Sequence, residues 1–153
     1  MHNRQVARPT RGALSSPHSG PVRPVPPTTL RPTSTPVKSG MDLIADAKAR
    51  IAEVTIAVAR TQHGTDGVTF LDCREPNEAN LGRIPDAVFI PRGQLETTIE
   101  SRIPRDQHVV IYCASGNRSA LAAVTLGEMG YGSVTSMAGG FKAWAQAGHP
   151  VEG

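Results

Sequence analysis

Four short runs constrain this chain more than any other feature: VTFLDC (68–73), AVFIP (87–91), HVVIYC (108–113) and SVTSM (133–137). Each is apolar or β-branched with little alternation, the pattern of strands covered on both faces of a parallel sheet. Helical stretches lie between and around them. In SALAAVTLGEMGY, Leu121, Val124, Leu126 and Met129 can face a sheet and Gly130 can stop the helix. FKAWAQAG (141–148) is a second such stretch. Upstream, in MDLIADAKARIAEVTIAVAR, residues Leu43, Ile44, Ala47, Ile51, Val54 and Val58 recur at three- and four-residue steps, with Asp42 placed to support the first turn. Within that segment EVTIAV can equally hold a short strand, and HGTDG (63–67) after it is turn chemistry. Strand and helix in alternation predict an α/β fold: an open parallel sheet of about four to five short strands, with right-handed crossovers and helices on both faces. Sites in such sheets form beyond the carboxyl ends of the strands. Cys113 ends one strand, and Asp72, Cys73 and Arg74 end another.

At 153 residues and 39% hydrophobic composition, one modest core is expected. The net charge of +3 misrepresents its distribution. Residues 1–40 hold six basic residues (Arg4, Arg8, Arg11, Arg23, Arg31, Lys38) and no acid; taking these from the chain's 16 basic and 13 acidic residues leaves residues 41–153 at −3. The basic balance therefore belongs to the tail, and no nucleic-acid surface is expected on the folded part. The tail also carries eight of the 13 prolines and is expected to be disordered, because it lacks the apolar residues that would offset the entropy of ordering. It resembles an acid-free transit peptide, although its prolines oppose an amphipathic helix; it also reads as a PPII-like extension touching an acidic partner, or as sequence ahead of a start at Met41. The expected organisation is thus a tail over 1–40 and a single domain over 41–153.

Two cysteines are too few for a disulfide scaffold, and they lack CxxC or Cys/His ligand spacing. Reduced thiols and a cytoplasmic location are expected, or an organelle if the tail is a transit peptide. No run approaches the ~18 apolar residues of a membrane span. The five histidines, at 2, 18, 63, 108 and 149, show no ligand spacing, and no metal or cofactor is assigned.

The residues after Cys113 explain why a cysteine ends a strand there. Ala114, Ser115, Gly116 and Asn117 are small enough for the backbone to curl with its N–H groups inward, Gly116 taking positive φ at little cost. The curl leads into a helix beginning near Arg118, whose N-terminal dipole and guanidinium add positive potential. A thiol so placed has a lowered pKa and is a nucleophile towards anionic substrates. Ser119 can cap the helix or offer its hydroxyl to the bound group. Trp144 and Tyr112 read as core packing.

The segment VVIYCASGNRSALAA resembles the active-site segment of the rhodanese family: a strand, Cys, four residues, Arg, then Ser or Thr opening a helix. FLDCREPNE resembles the family's strand ending in Asp-x-Arg-Glu, and GRIPDAVFIPRGQLE its Gly-His-Ile-Pro-Gly-Ala segment. MAGGFKAWAQAGHPV resembles its closing Gly-Gly element with a Trp, so that the resemblance spans about residues 53–151. It implies a thiosulfate-type sulfurtransferase without metal or organic cofactor. Cys113 and Arg118 would be the catalytic residues, with Cys113 holding a persulfide, and the backbone of residues 114–118 together with Ser119 would bind the transferred group. Asp72 and Arg74 would support the site from neighbouring loops. The implied partners are a small-molecule sulfur donor and a cyanide, thiol or protein acceptor, with the protein a monomer or dimer. Family members acting on phosphate or arsenate carry five residues between Cys and Arg; four here imply a nest for a single sulfur rather than a phosphatase or arsenate reductase.

Three positions depart from the family pattern. Arg83 stands for the usual His, Asp86 for Gly, and Cys73 for an aliphatic residue. Arg83 reads as a solvated surface arginine, or as a group favouring anionic donors if it faces the cleft. Cys73 reads as a resolving thiol or as a small buried hydrophobe. A second class of function stays open: a rhodanese-like interaction or redox-sensing module in which the cysteine does no transfer.

Overall fold

The computed structural model describes Gly12, residues 20–24 and residues 36–153. The expectation of disorder over 1–40 falls largely outside the described residues. Residues Val37–Gly153 form one compact unit. Its elements in chain order are α1 (Gly40–Arg50), β1 (Ala52–Val54), α2 (Ile56–Gln62), β2 (Val68–Asp72), α3 (Pro76–Asn80), β3 (Val88–Phe89), a 3-10 turn (Arg92–Gln94), α4 (Leu95–Arg102), β4 (His108–Tyr112), α5 (Asn117–Glu128), β5 (Val134–Met137) and α6 (Gly140–Gln146). The five strands pair in parallel in the order β1-β5-β4-β2-β3. This is the expected open α/β sheet with helices on both faces.

The lack of alternation in the strands has a direct cause: both faces are buried. On one face Leu71, Val109, Ile111, Ile99, Ala122, Ala123 and Leu126 cluster under α4 and α5. On the other, Phe70, Val110, Tyr112, Val54, Ala59 and Trp144 cluster under α2 and α6. Trp144 and Tyr112 are fully buried core residues, although Tyr112 also serves the polar network described below.

Two details of the sequence reading change. Of the two readings open for the segment ending in EVTIAV, the structure takes the short strand, one residue earlier than EVTIAV begins: α1 ends at Arg50, residues 52–54 pair with Thr135–Met137 at the sheet edge, and Thr55 caps a separate α2 through its hydroxyl, 3.3 Å from the Val58 nitrogen. Capture by the sheet overrides a local pattern that both periods could satisfy. Leu121 does not face the sheet but is 37% exposed. The buried face of α5 is instead Ser119, Ala122, Ala123 and Leu126, spaced i, i+3, i+4 and i+7. Small residues let the helix lie close to the strands. Asp42 does support α1, in a reciprocal cap with Ser39 that includes the Ser39 N–H to Asp42 carboxylate bond of 2.8 Å. Ser39 is the N-cap of α1, and Lys38, just before it, pairs with Asp46 of the same helix. Gly130, at φ 91°, reverses the chain after α5.

Candidate active site

The register of the central strands places the site. Asp72 and Tyr112 are partners at the ends of β2 and β4, and the Cys73 N–H donates to the Tyr112 carbonyl at 3.0 Å. Cys73 and Cys113 therefore leave the sheet side by side at its carboxyl edge. Both are free thiols.

From Cys113 the chain curls as its small residues allow. Gly116, at φ 102°, is the N-cap of α5 and has no side chain to cap it. The sulfur takes that place: Cys113 Sγ accepts the Gly116 N–H at 3.1 Å and the Ser119 N–H at 3.4 Å, and lies 3.4 Å from Ser119 Oγ. These are helix-start amides that have no partner within the helix. Burial opposes ionisation of Cys113, but the Ser119 hydroxyl and the N–H groups of Ser119, Ser115 and Gly116 outweigh it and hold the thiol below its ordinary value. Ser119 thus faces the sulfur and does not cap the helix. Ser115 is exposed at the mouth, with Ala114 and Asn117 half-buried beside it.

A second element holds the curl from outside. At the start of α6 the N–H groups of Phe141 and Lys142 donate to the carbonyls of Cys113 and Ala114, at 2.8 and 3.1 Å. Turned outward to these amides, the carbonyls leave the loop's own N–H groups facing the sulfur. The approach needs glycine: a Cβ on Gly140, at φ 62°, would lie 2.5 Å from the Ala114 carbonyl carbon.

Arg118, a permanent charge at the helix start that could also have served only a surface salt bridge, is paired. Its guanidinium grips both oxygens of Glu78 at 2.7 Å each, tying the first turn of α5 to α3. The side-chain hydrogen bond from Arg118 is the largest cause holding the Glu78 carboxyl down at about 2. Glu78 also accepts the Glu75 N–H at 2.9 Å, at the start of α3. Glu78 is a site residue that the sequence reading missed. Its signal was present in Glu75-Pro76-Asn77-Glu78, a helix start with Pro at the first position and Glu at the third.

Asp72 and Arg74 do not touch Cys113. They form a buried pair, with Arg74 Nη2 to Asp72 Oδ2 at 2.7 Å and Nε to Oδ1 at 3.0 Å. Arg74 also donates to the Gly82 carbonyl at 2.7 Å and lies over the Phe141 ring of α6 at 4.1 Å. Tyr112 donates to Asp72 and accepts the Ile84 N–H at 3.1 Å. One ion pair thus joins β2, β4, the 82–84 segment and α6. Cys73 is fully buried, its thiol donating to the Tyr112 carbonyl at 3.3 Å, and burial pushes its pKa up. Arg83 pairs with Glu152 at 3.7 Å in a half-exposed contact. Asp86 stands at φ 61°, the left-handed conformation for which the family uses glycine.

The amides of the loop converge on a single atom, the Cys113 sulfur. A hollow of about 320 Å³ opens between α1, α5 and β5 beside Arg50 and Tyr131, and no residue of the Cys113 loop lines it. Among the described residues no helix is long and apolar enough to cross a membrane.

This geometry agrees with the comparisons. The rhodanese-like domain model matches residues 55–147, and the chain belongs to that family. It is 44% identical over 87 residues to a sulfurtransferase of Allochromatium vinosum, covering 57% of this chain and 80% of that one. A solved structure from Rhodopseudomonas palustris, a protein of unknown function titled a possible tyrosine phosphatase, superposes with a TM-score of 0.71 at 36% identity, covering 78% of this chain and 98% of that one. A rhodanese-related protein from Thermoplasma volcanium superposes with a TM-score of 0.58 at 30% identity, covering 66% and 97%.

Proposed function

We propose that this protein is a sulfurtransferase that carries a sulfane sulfur on Cys113. The Cys113 thiolate attacks the outer sulfur of thiosulfate or a similar donor; the new S–S bond forms as the donor's bond breaks, and sulfite or a thiolate departs with the electron pair. The persulfide's terminal sulfur bears negative charge, and the loop N–H groups that reach Cys113 Sγ in the free protein supply the positive potential to hold it. An acceptor thiolate, small or protein-borne, or cyanide then attacks that terminal sulfur, leaves with it and returns the Cys113 thiolate. The reading rests on one observation above all: backbone amides converge on the Cys113 sulfur across a loop of only four residues. The sulfurtransferase relative supports the same chemistry.

Intact-protein mass after incubation with thiosulfate tests it. A reducible gain of one sulfur atom is expected in the wild type and absent in Cys113→Ser. No gain with thiosulfate or other sulfane donors would overturn the reading in favour of an interaction or redox-sensing module. The neighbour's title makes phosphatase the other arm. Hydrolysis of an aryl phosphate that depends on Cys113, without sulfur uptake, would move the assignment there.

A further inference from the structure

We infer that Ser136, a β5 residue outside the Cys113 loop, is a positioning residue that turns the Ser119 hydroxyl towards the Cys113 sulfur. The inference rests on Cys113 being the reacting thiol. The three groups form a buried chain: Ser136 Oγ is 2.9 Å from Ser119 Oγ, which is 3.4 Å from Cys113 Sγ. Both serines are 0% exposed and Cys113 is 1% exposed, so each depends on its neighbours for partners. Among the described residues, neither serine hydroxyl has another hydrogen-bonding partner.

Ser136 is out of character with its position. Its register partner is Ile111 of β4, which packs in the apolar cluster beneath α4 and α5. An aliphatic side chain would satisfy the fold there, whereas a buried hydroxyl needs a partner to be tolerated.

Counting hydrogens gives the direction of the chain. With Cys113 as a thiol, three hydrogens sit on three heavy atoms joined by two contacts, and one lacks an acceptor. Ionisation removes the surplus hydrogen, and the two that remain can run one way, from Ser136 to Ser119 to the sulfur, each bond polarising the next. By donating to Ser119, Ser136 occupies a lone pair and leaves that hydroxyl's single hydrogen for the sulfur. Without Ser136, Ser119 in the first turn of α5 is free to turn towards a carbonyl three or four residues back, as helical serines do.

The test reads Cys113 directly: the pH dependence of its alkylation by iodoacetamide in the full-length protein, with peptide mass mapping to score Cys73 separately. Ser136→Ala is expected to raise the Cys113 midpoint by roughly half to one pH unit. In a Ser119→Ala background the same change should add nothing, because Ser136 acts only through that hydroxyl. Ser136→Thr and Ser136→Val have the same shape and differ by one hydroxyl, so Thr should retain the wild-type midpoint and Val should shift it. A wild-type midpoint in natively folded Ser136→Ala or Ser136→Val overturns the inference. So does an equal shift with and without the Ser119 hydroxyl. No sulfur donor is present, so failure here is distinguishable from failure of sulfur transfer.

Discussion

Arg118 illustrates how one partner changes a residue's role. A lone arginine at the mouth would draw dianionic donors, but its bidentate grip on Glu78 offsets the charge and makes the pair a clamp between α3 and α5. The thiolate is left to the amides and to Ser119, which are the causes that lower the Cys113 pKa. The clamp has a pH signature. Glu78 is held at about 2 in the folded protein, below its unfolded value, so its contribution to stability is complete above ~4.3 and is lost as pH falls towards 2. Thermal melts between pH 5 and 2 should therefore show a smaller acid-induced loss in Glu78→Gln than in wild type. Equal losses would mean that the clamp contributes nothing to folding. Asp86 makes a smaller point at the same scale: it occupies a left-handed conformation where glycine is at ease, and Asp86→Gly should raise stability by about 0.5–1 kcal/mol in a denaturant titration.

Among the elements, the contact between α6 and the Cys113 loop governs the site's shape. Gly139 and Gly140, at φ 80° and 62°, bring the first amides of α6 onto the carbonyls of Cys113 and Ala114. Gly140→Ala would place a methyl 2.5–2.6 Å from those backbone atoms, and neither side can yield cheaply. Sulfur transfer should fall at least tenfold, with a loss of about 1–3 kcal/mol in stability, measured by turnover and by chemical unfolding. This contact also marks what the sequence could not convey. Strands β2 to β5, α5, α6 and the curl after Cys113 with its positive-φ glycine were legible, because each follows from local period, residue size or φ preference; that the glycine itself is the N-cap, and not Ser119, was not. The break between α1 and β1 was legible only as one of two alternatives, since Ile51 and Val54 satisfy both periods and only pairing with β5 decides between them. Glu78, Ser136 and Gly140 lie 23 to 35 positions from Cys113 along the chain, and their side chains or backbones meet its loop, directly or through a neighbour, only once the sheet has formed. Such meetings depend on register, which residue type alone does not reveal.

For the whole molecule, Cys113 sits where the two apolar layers meet the carboxyl edge of the sheet, and the Asp72–Arg74 pair ties that edge together. Cys113 packs in the layer under α4 and α5, while Tyr112, the residue before it, packs in the layer under α2 and α6. Arg74 is 3% exposed and spans from Asp72 to the Gly82 carbonyl, with Phe141 stacked on its guanidinium. A buried ion pair adds little compared with a well-packed apolar pair, but removing one member leaves an uncompensated charge. Arg74→Ala should therefore destabilise the entire unit by about 3–5 kcal/mol, because Asp72 keeps its burial and loses both guanidinium hydrogen bonds. Asp72→Asn in the same protein should recover part of that loss, since the stranded charge is then gone while Tyr112 keeps a hydrogen-bond acceptor. Denaturant unfolding of the two single variants and the double variant decides the matter. Additive losses would show that the two residues act separately and that the edge is held by packing alone, whereas recovery in the double variant would place the integrity of the Cys113 site on this one pair.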